Sequence, residues 1–210
     1  MSSIPAPIRV LAVDDHPLLR EGVIGLISNQ PDFVMVGEAS TGQEAIEQHR
    51  LVRPDITLMD LQMPDMSGVE AISAIRSEAP DARIIVLTTF AGDIWAERAL
   101  KAGAQAYVLK NSVRKELLAT MRAVHQGHKR IQSDVATQLA HHMSYASLTP
   151  REVEVLALIA QGNSNRAVGD ALFVNEVTIK GHVKNILAKL GASDRTHAVT
   201  IGLRRGIIQL

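Results

Sequence analysis

Short apolar runs alternate with segments of helical periodicity along the first part of the chain. Five runs are predicted to be strands, at residues 8–13, 33–38, 55–59, 83–87 and 105–109. Most are continuously apolar, which is typical of parallel strands covered on both faces. Strands that alternate with helices predict an α/β fold with a doubly wound, five-stranded parallel sheet.

Several predicted helices begin with capping residues. Thr41 with Glu44, and Ser67 with Glu70, have the spacing of a capping box, in which each side chain bonds the backbone of the other. Pro17 fits a first helical turn, where the missing N–H costs nothing.

The strand signal stops after Gly127. Residues 128–147 combine a weak amphipathic pattern with polar, basic and small residues, and we predict a linker there. From Leu148 onward the periodicity is helical, and the run Thr149-Pro150-Arg151-Glu152 is a strong helix start. The predicted organisation is therefore an α/β domain at residues 1–127, a linker at 128–147 and an all-α domain at 148–210.

Composition narrows the classes of function. The chain has no cysteine, which excludes disulfides and thiolate metal sites. Residues 1–147 carry 14 Lys/Arg against 17 Asp/Glu, whereas residues 148–210 carry 8 against 5, so a basic second part suggests a phosphate-rich partner. We find no signal peptide and no apolar run near the roughly 18 residues that span a bilayer, and we expect a cytoplasmic protein without a membrane partner.

Polar residues follow the strands at the edge where functional groups of open parallel sheets collect. The set is Asp14, Asp15, Asp60, Thr88 and Lys110. Clustered carboxylates stay ionised only beside a cation, and oxygen ligands without a participating histidine favour Mg²⁺. A carboxylate beside Mg²⁺ and a lysine can attack phosphorus and form an acyl phosphate. The alternative is that these are ordinary loop and cap residues.

Residues 175–191 predict a helix with two different faces. One stripe is apolar: Ile179, Val183, Ile186 and Leu190. The opposite face holds Val177, Lys180, Gly181, Lys184 and Ala188, and no carboxylate is expected on it. A short helix is predicted before it, at about 165–172, and a tight turn connects the two, as in a helix-turn-helix. A solvated lysine face on a small bundle is the alternative.

The first part resembles the receiver domain of two-component response regulators, through "LAVDDHP", "LMDLQMPDMSG", "VLTTF" and "YVLK". That resemblance implies a flavodoxin-like fold with Asp60 as the phosphoacceptor of a histidine kinase. It further implies that Asp14, Asp15, Asp60 and the backbone carbonyl of Gln62 bind Mg²⁺. Lys110 would contact the phosphoryl group, Thr88 would move toward it, and Tyr107 would change rotamer.

The second part resembles the LuxR/FixJ-type helix-turn-helix from "LTPREVEVLALIAQG" to "LGASDRTHAV". That resemblance implies that Lys180, Gly181 and Lys184 face base edges or nearby backbone. Thr178, Asn165 and Arg166 would reach phosphates. Val177 is a further candidate, for a thymine methyl group.

We therefore interpret the chain as a response regulator of the NarL/FixJ class, a transcription factor rather than an enzyme. Phosphorylation would promote homodimerisation and promoter binding, with RNA polymerase as a candidate partner. Two alternatives stand: a transcription factor whose receiver is only a dimerisation scaffold, and an aspartyl-phosphate phosphatase. Gln62 argues against the phosphatase, because such enzymes generally have an Asp-x-Asp motif at the nucleophile. Here the residue two positions after Asp60 is Gln62, which is not an acid.

Overall fold

The computed structural model describes residues 6–89, 93–131 and 148–208, which form two compact units. The first unit alternates strands and helices. Its elements are β1 Ile8–Val13, α1 Pro17–Ser28, β2 Phe33–Ala39, α2 Gly42–Val52, β3 Ile56–Met59, α3 Gly68–Glu78, β4 Ile84–Thr88, α4 Asp93–Ala102, β5 Ala106–Leu109, a 3₁₀ turn Lys110–Ser112, α5 Val113–His125 and β6 Arg130–Ile131.

The strands form one parallel sheet in the order β2-β1-β3-β4-β5-β6. The doubly wound fold is confirmed, but the sheet has six strands rather than the predicted five. The additional strand, β6, pairs with β5 and lies inside the segment predicted to be a linker. A strand of two residues is too short to show periodicity in the sequence, so only the pairing with β5 reveals β6.

Both faces of the sheet are buried. On one face, α1 and α5 contribute Val23 and Leu117 to a cluster with strand residues such as Leu58. Strand residues of the opposite parity, Leu11 and Tyr107 among them, are also fully buried. This two-sided burial explains why the strands appear in the sequence as continuous apolar runs.

The predicted helix starts are largely confirmed. Ser67 and Glu70 form a complete capping box. Thr41 accepts a hydrogen bond from the Glu44 amide, but the Glu44 carboxylate accepts from the amide and hydroxyl of Ser40 instead of from the Thr41 backbone.

The described residues 148–208 of the second unit form four helices: α6 Pro150–Ala160, α7 Asn165–Leu172, α8 Glu176–Leu190 and α9 Arg195–Arg205. Its core contains Leu156, Val168, Ile179, Ile186 and Ala198, with at least one residue from each helix. None of the described helices is long and apolar enough to cross a membrane.

An ion pair joins the start of α6 to the end of α8. Glu152 completes the predicted capping box at Thr149, and its carboxylate also accepts a hydrogen bond of 2.7 Å from Lys189, near the end of α8. Glu152 is only 3% exposed, so the pair fixes the orientation of α8 against the start of α6.

Gly68, the first residue of α3, allows the helix to start against the end of β3. A Cβ atom there would lie 2.0 Å from the Asp60 carbonyl oxygen, so the backbone would have to shift. We expect Gly68→Ala to destabilise the protein by about 1–3 kcal/mol, because overpacking at backbone cannot be relieved by a rotamer change. Urea unfolding measures this loss.

Gly22→Ala is the matched control. A Cβ at Gly22, inside α1, would meet nothing within 4 Å. This change should stabilise the protein by about 0.5–1 kcal/mol, since alanine loses less conformational entropy in a helix. Equal effects of the two variants would contradict the close approach at Gly68.

Candidate functional site

Two buried carboxylates lie side by side at the carboxyl end of the sheet. β1 and β3 are hydrogen-bonded neighbours with Val13 opposite Met59, so the residues that follow them, Asp14 and Asp60, emerge together. The Asp60 amide donates to the Val13 carbonyl at 3.0 Å. Asp14 is 4% exposed and Asp60 is 2% exposed.

Lys110 brings one positive charge to this pair. It follows β5, and its Nζ lies 2.8 Å from Asp14 Oδ2 and donates to Asp60 Oδ2 at 2.8 Å. The other Asp60 oxygen, Oδ1, accepts from the Leu61 amide at 2.7 Å. The predicted convergence of Asp14, Asp60 and Lys110 is therefore observed.

The charges of this cluster oppose one another. Burial raises the pKa of Asp60, and Asp14 raises it further, whereas Lys110 lowers it; the net direction is upward. Burial alone would lower the pKa of Lys110, but its contacts with Asp14 and Asp60 outweigh burial and raise it. The site thus contains an ammonium that stays charged and a carboxylate whose ionisation is costly.

A histidine joins the acidic cluster, contrary to the prediction. His16 Nδ1 lies 2.6 Å from Asp15 Oδ1, and the His16 amide donates to Asp14 Oδ1 at 2.9 Å. Asp14, Asp15, His16 and Asp60 can each present a ligand atom within 4.8 Å of the others. His16 therefore lies at the site, although the next residue, Pro17, begins α1.

The cluster has the composition of a site for a hard divalent cation. Asp14 Oδ2 is buried without a well-aligned hydrogen-bond donor among the described residues, and the nearest cation is Lys110 Nζ at 2.8 Å. Three carboxylates beside a single ammonium leave an excess of negative charge. Carboxylate oxygens in this number fit Mg²⁺, which retains several waters as further ligands.

The loop after Asp60 is tied to the start of α2. Both Asp65 carboxylate oxygens accept backbone hydrogen bonds, from Gly42 at 2.9 Å and from Gln43 at 2.8 Å. Those amide groups lower the pKa of Asp65, against the upward effect of burial. Asp65 was not among the predicted site residues, although it lies only five residues after Asp60. Gln62 lies exposed in this loop.

The two residues predicted to form a switch are both fully buried. Thr88 ends β4 opposite Leu109, which places it beside the residue that precedes Lys110. Tyr107 lies deeper in β5, between Val86 and Ile131. Burial, together with the Asp60 charge, raises the pKa of Tyr107 well above its usual range, so its hydroxyl stays protonated.

The second candidate surface is the exposed side of α8, and its predicted pattern is observed. The apolar stripe packs into the core, with Ile179 and Ile186 fully buried and Val183 and Leu190 partly buried. All the residues predicted on the opposite side are exposed: Val177, Lys180, Gly181, Lys184 and Ala188. Val177 is 74% exposed, a high value for an aliphatic side chain.

A carboxylate lies at this surface, where none was predicted. Glu176, the first residue of α8, forms an ion pair of 2.8 Å with Lys180, one helical turn later. Residues four apart lie on the same face of a helix, so Glu176 lies beside Lys180, and the prediction of a face without a carboxylate is wrong.

The remaining predicted DNA contacts flank the start of α8. Asn175 caps the helix by accepting hydrogen bonds from both the amide and the hydroxyl of Thr178, at 2.7 and 2.8 Å. Asn165 is partly exposed and Arg166 is exposed, both in the first turn of α7.

The turn between α7 and α8 depends on a close backbone approach. A Cβ at Gly169 would lie 2.7 Å from the Val174 carbonyl oxygen, and the Val174 amide donates to the Gly169 carbonyl at 2.9 Å. Phe173 completes the turn in the left-handed region, with φ of 57°.

Comparisons with known proteins agree in both parts of the chain. Residues 10–122 match the response regulator receiver domain, and residues 146–201 match the bacterial regulatory proteins of the luxR family. Response regulator protein VraR of Staphylococcus aureus is 39% identical over 207 residues, covering 96% of this chain and 99% of VraR.

Solved structures give the same result. Response regulator ChrA of a heme-sensing two-component system is 32% identical, with a TM-score of 0.58, over 97% of this chain and 100% of ChrA. The response regulator RcsB in complex with DNA is 25% identical, with a TM-score of 0.73, over 93% of this chain and 97% of RcsB.

The raised pKa of Asp60 gives a test of the site's electrostatics. A carboxyl with a raised folded-state pKa is destabilising when ionised, so Asp60→Asn should stabilise the protein by about 1 kcal/mol at neutral pH in the presence of a chelator. The gain should shrink as the pH falls toward the ordinary value of 3.8. Thermal unfolding at several pH values measures it.

Asp65→Asn is the control of opposite sign. The pKa of Asp65 is lowered, so its ionised form is favoured by folding and its loss should destabilise the protein at neutral pH. If Asp60→Asn also destabilised the protein there, burial of the Asp60 charge would not be the dominant cost.

Proposed function

Since the chain belongs to the response regulators, with a receiver domain and a luxR-family DNA-binding domain, we propose that phosphorylation of Asp60 controls its binding to promoter DNA. A histidine kinase would be the phosphodonor. The family is one of DNA-binding transcription regulators, and the proposal concerns how this member is switched.

The observation that carries the proposal is the position of Lys110 between Asp14 and Asp60, with both Nζ–Oδ2 distances 2.8 Å. An isolated buried carboxylate would be neutralised by a proton and lose its nucleophilicity. The ammonium keeps Asp60 ionised, while burial leaves this carboxylate poorly solvated and costly to ionise. Asp60 is therefore the carboxylate best placed to act as the nucleophile.

In the proposed transfer, an Asp60 oxygen attacks the phosphorus of phosphohistidine. The new O–P bond forms as the P–N bond breaks, and the bond's electron pair leaves with the imidazole, which takes a proton. Lys110 is already charged, so it can exchange its contact with Asp60 Oδ2 for a phosphoryl oxygen without a proton transfer.

Asp14, Asp15 and Asp60, with the Gln62 carbonyl, would hold Mg²⁺. When bound, the ion supplies positive charge against the phosphoryl oxygens. Asp15 is oriented for this role by His16, which contacts its carboxylate at 2.6 Å. The Asp65 contacts with α2 would hold the loop containing Gln62 in place.

The phosphoryl group would then bias the receiver between two states. Thr88 is buried one residue from Lys110 across the β4–β5 pair, and we propose that its hydroxyl turns to a phosphoryl oxygen. Movement of Thr88 would change the space available to Tyr107 in the neighbouring strand. A buried aromatic ring in close packing moves between discrete rotamers, which gives a two-state response.

The output surface in this proposal is the exposed side of α8, placed in the DNA major groove. Lys180, Gly181 and Lys184 would meet base edges or backbone, with Val177 beside a thymine methyl group. Thr178, Asn165 and Arg166 would contact phosphates. A net charge of +3 over residues 148–210 is modest, so a phosphorylation-dependent homodimer on two half-sites would supply the affinity. RNA polymerase is a candidate partner of the bound dimer.

Intact-mass spectrometry tests the phosphoacceptor. Incubation with acetyl phosphate and Mg²⁺ should add one phosphoryl group to the wild-type protein and none to Asp60→Asn. The adduct should be lost on mild alkaline treatment, as an acyl phosphate is, and should not form with a chelator present.

Asp65→Asn serves as the carboxylate control, since it should still accept the phosphoryl group. An equal adduct on Asp60→Asn would reject the proposed nucleophile. A wild-type protein that takes no phosphate yet binds DNA as a dimer would favour the scaffold alternative. Sustained phosphate release from small phosphoesters would favour the phosphatase.

The salt dependence of DNA binding tests α8. Lys184→Ala should weaken binding and reduce the slope of log K against log salt by about 0.9, because one fewer counterion is released. Fluorescence anisotropy with a labelled duplex measures both quantities. Arg204→Ala, an exposed position on α9, removes the same charge elsewhere in the module and should leave the slope nearly unchanged. An unchanged slope for Lys184→Ala would remove it from the DNA-facing set.

A further inference from the structure

Glu176 divides the basic surface of α8 into two unequal parts. Its carboxylate lies 2.8 Å from Lys180 Nζ, whereas Lys184 has no ion-pair partner among the residues that the structure describes. We propose that Glu176 is a specificity-determining residue, which withholds Lys180 from DNA phosphates in general. This inference rests on the proposed placement of α8 in the major groove.

Glu176 and a DNA phosphate compete for the same group, the Lys180 ammonium. Lys180 and Glu176 are 61% and 43% exposed, so both side chains can rearrange and the pair is readily exchanged. A DNA phosphate that takes Lys180 must nevertheless displace the carboxylate. It must also bring its own negative charge close to that of Glu176. Each non-specific contact is therefore weakened.

Arg166 extends the effect to a second cation. The Lys180 ammonium lowers the pKa of Glu176, and Arg166 contributes to the same shift at longer range, so the carboxylate is charged at neutral pH. Glu176 thus lies among cations that the proposed function assigns to DNA. Its charge acts on α7 as well as on α8.

The other acidic residues with described contacts in this unit are engaged elsewhere. Glu152 is buried with Lys189, Glu154 pairs with Arg151 on α6, and Asp194 caps α9. Among these acids, only Glu176 is bonded to the exposed side of α8. Its charge is therefore the one in direct contact with a lysine that the proposed function assigns to DNA.

Discrimination arises because base edges differ from phosphates. A carboxylate repels phosphates and the acceptor atoms of guanine, but it can accept a hydrogen bond from the cytosine amino group. At such a base Glu176 gains a donor and Lys180 is released to the neighbouring phosphate. Elsewhere the ion pair persists and binding stays weak. Glu176 would raise the ratio of specific to non-specific affinity for DNA, mainly by lowering the non-specific affinity.

A purely structural role for Glu176 makes a different prediction. A carboxylate in the first turn of a helix interacts favourably with the helix dipole. If this were its only role, its removal would lower the thermal stability slightly and would not strengthen DNA binding. The two roles are therefore separable by measuring both quantities on the same variant.

The test compares the full chain with Glu176→Gln on mixed-sequence duplex DNA by fluorescence anisotropy, over a series of salt concentrations. We expect the variant to bind about three- to tenfold more tightly, with a log K against log salt slope steeper by about 0.9. Glu154→Gln removes the same charge from α6 and should change affinity less than twofold. In a Lys180→Met background, the gain from Glu176→Gln should be clearly smaller, because only the direct repulsion of phosphates by Glu176 and its effect on Arg166 remain.

The outcomes distinguish this inference from the function on which it rests. A wild-type protein that binds duplex DNA, with Glu176→Gln no tighter than Glu154→Gln, would overturn only the role of Glu176. An undiminished gain in the Lys180→Met background would overturn the pairing mechanism. A wild-type protein with no salt-dependent binding to any duplex would refute the DNA-reading role of α8, and this inference with it.

Discussion

The receiver unit depends on one ammonium group held between two buried carboxylates. Parallel strands bring Asp14 and Asp60 to the same edge of the sheet, and burial there raises the cost of ionising Asp60. Lys110 reaches both carboxylates at 2.8 Å and offsets that cost. Without this cation Asp60 would be protonated or exposed, and neither state would yield a preorganised nucleophile. Asp65 and Gly68 help to keep Asp60 in this position. Asp65 ties the loop that follows Asp60 to the start of α2, and Gly68 lets α3 begin close to the Asp60 carbonyl oxygen.

The balance of charge at this edge also explains how a small modification could act over the whole unit. A phosphoryl group on Asp60 adds negative charge to a cluster that already has an excess of it, so Lys110 and a bound cation must reorganise around it. Thr88 and Tyr107 are buried in the two strands beside Lys110, where close packing does not allow gradual adjustment. A local change of charge would therefore be converted into a change between discrete packing arrangements.

The sequence predicted those features that depend on local pattern. Continuous apolar runs gave five of the six strands, and cap residues such as Ser67 and Thr149 marked the helix starts. The convergence of Asp14, Asp60 and Lys110 was predicted from their places at the strand ends, but contacts that leave no pattern in the sequence were missed. β6 has too few residues for a periodic signal, and it exists because β5 offers a free edge. Asp65 bonds to residues more than twenty positions away, and His16 turns back through a backbone hydrogen bond to Asp14.

Gly169 and Glu176 show why residue type alone is insufficient even where the element is correctly predicted. A glycine inside a helix costs about 1 kcal/mol of helix propensity, yet the Val174 carbonyl approaches Gly169 so closely that a larger residue would push the turn apart. The basic face of α8 was predicted to hold no carboxylate, but Glu176 lies one helical turn before Lys180 and forms an ion pair with it. The contrast with Lys110 is one of burial. A buried ammonium between carboxylates has no competing partner in water and holds a fixed geometry, whereas the exposed Glu176–Lys180 pair is weak enough to be exchanged for a ligand. The same chemical pair therefore holds side chains in place in one unit, and in the other it is weak enough to rearrange, as the proposed role of Glu176 requires.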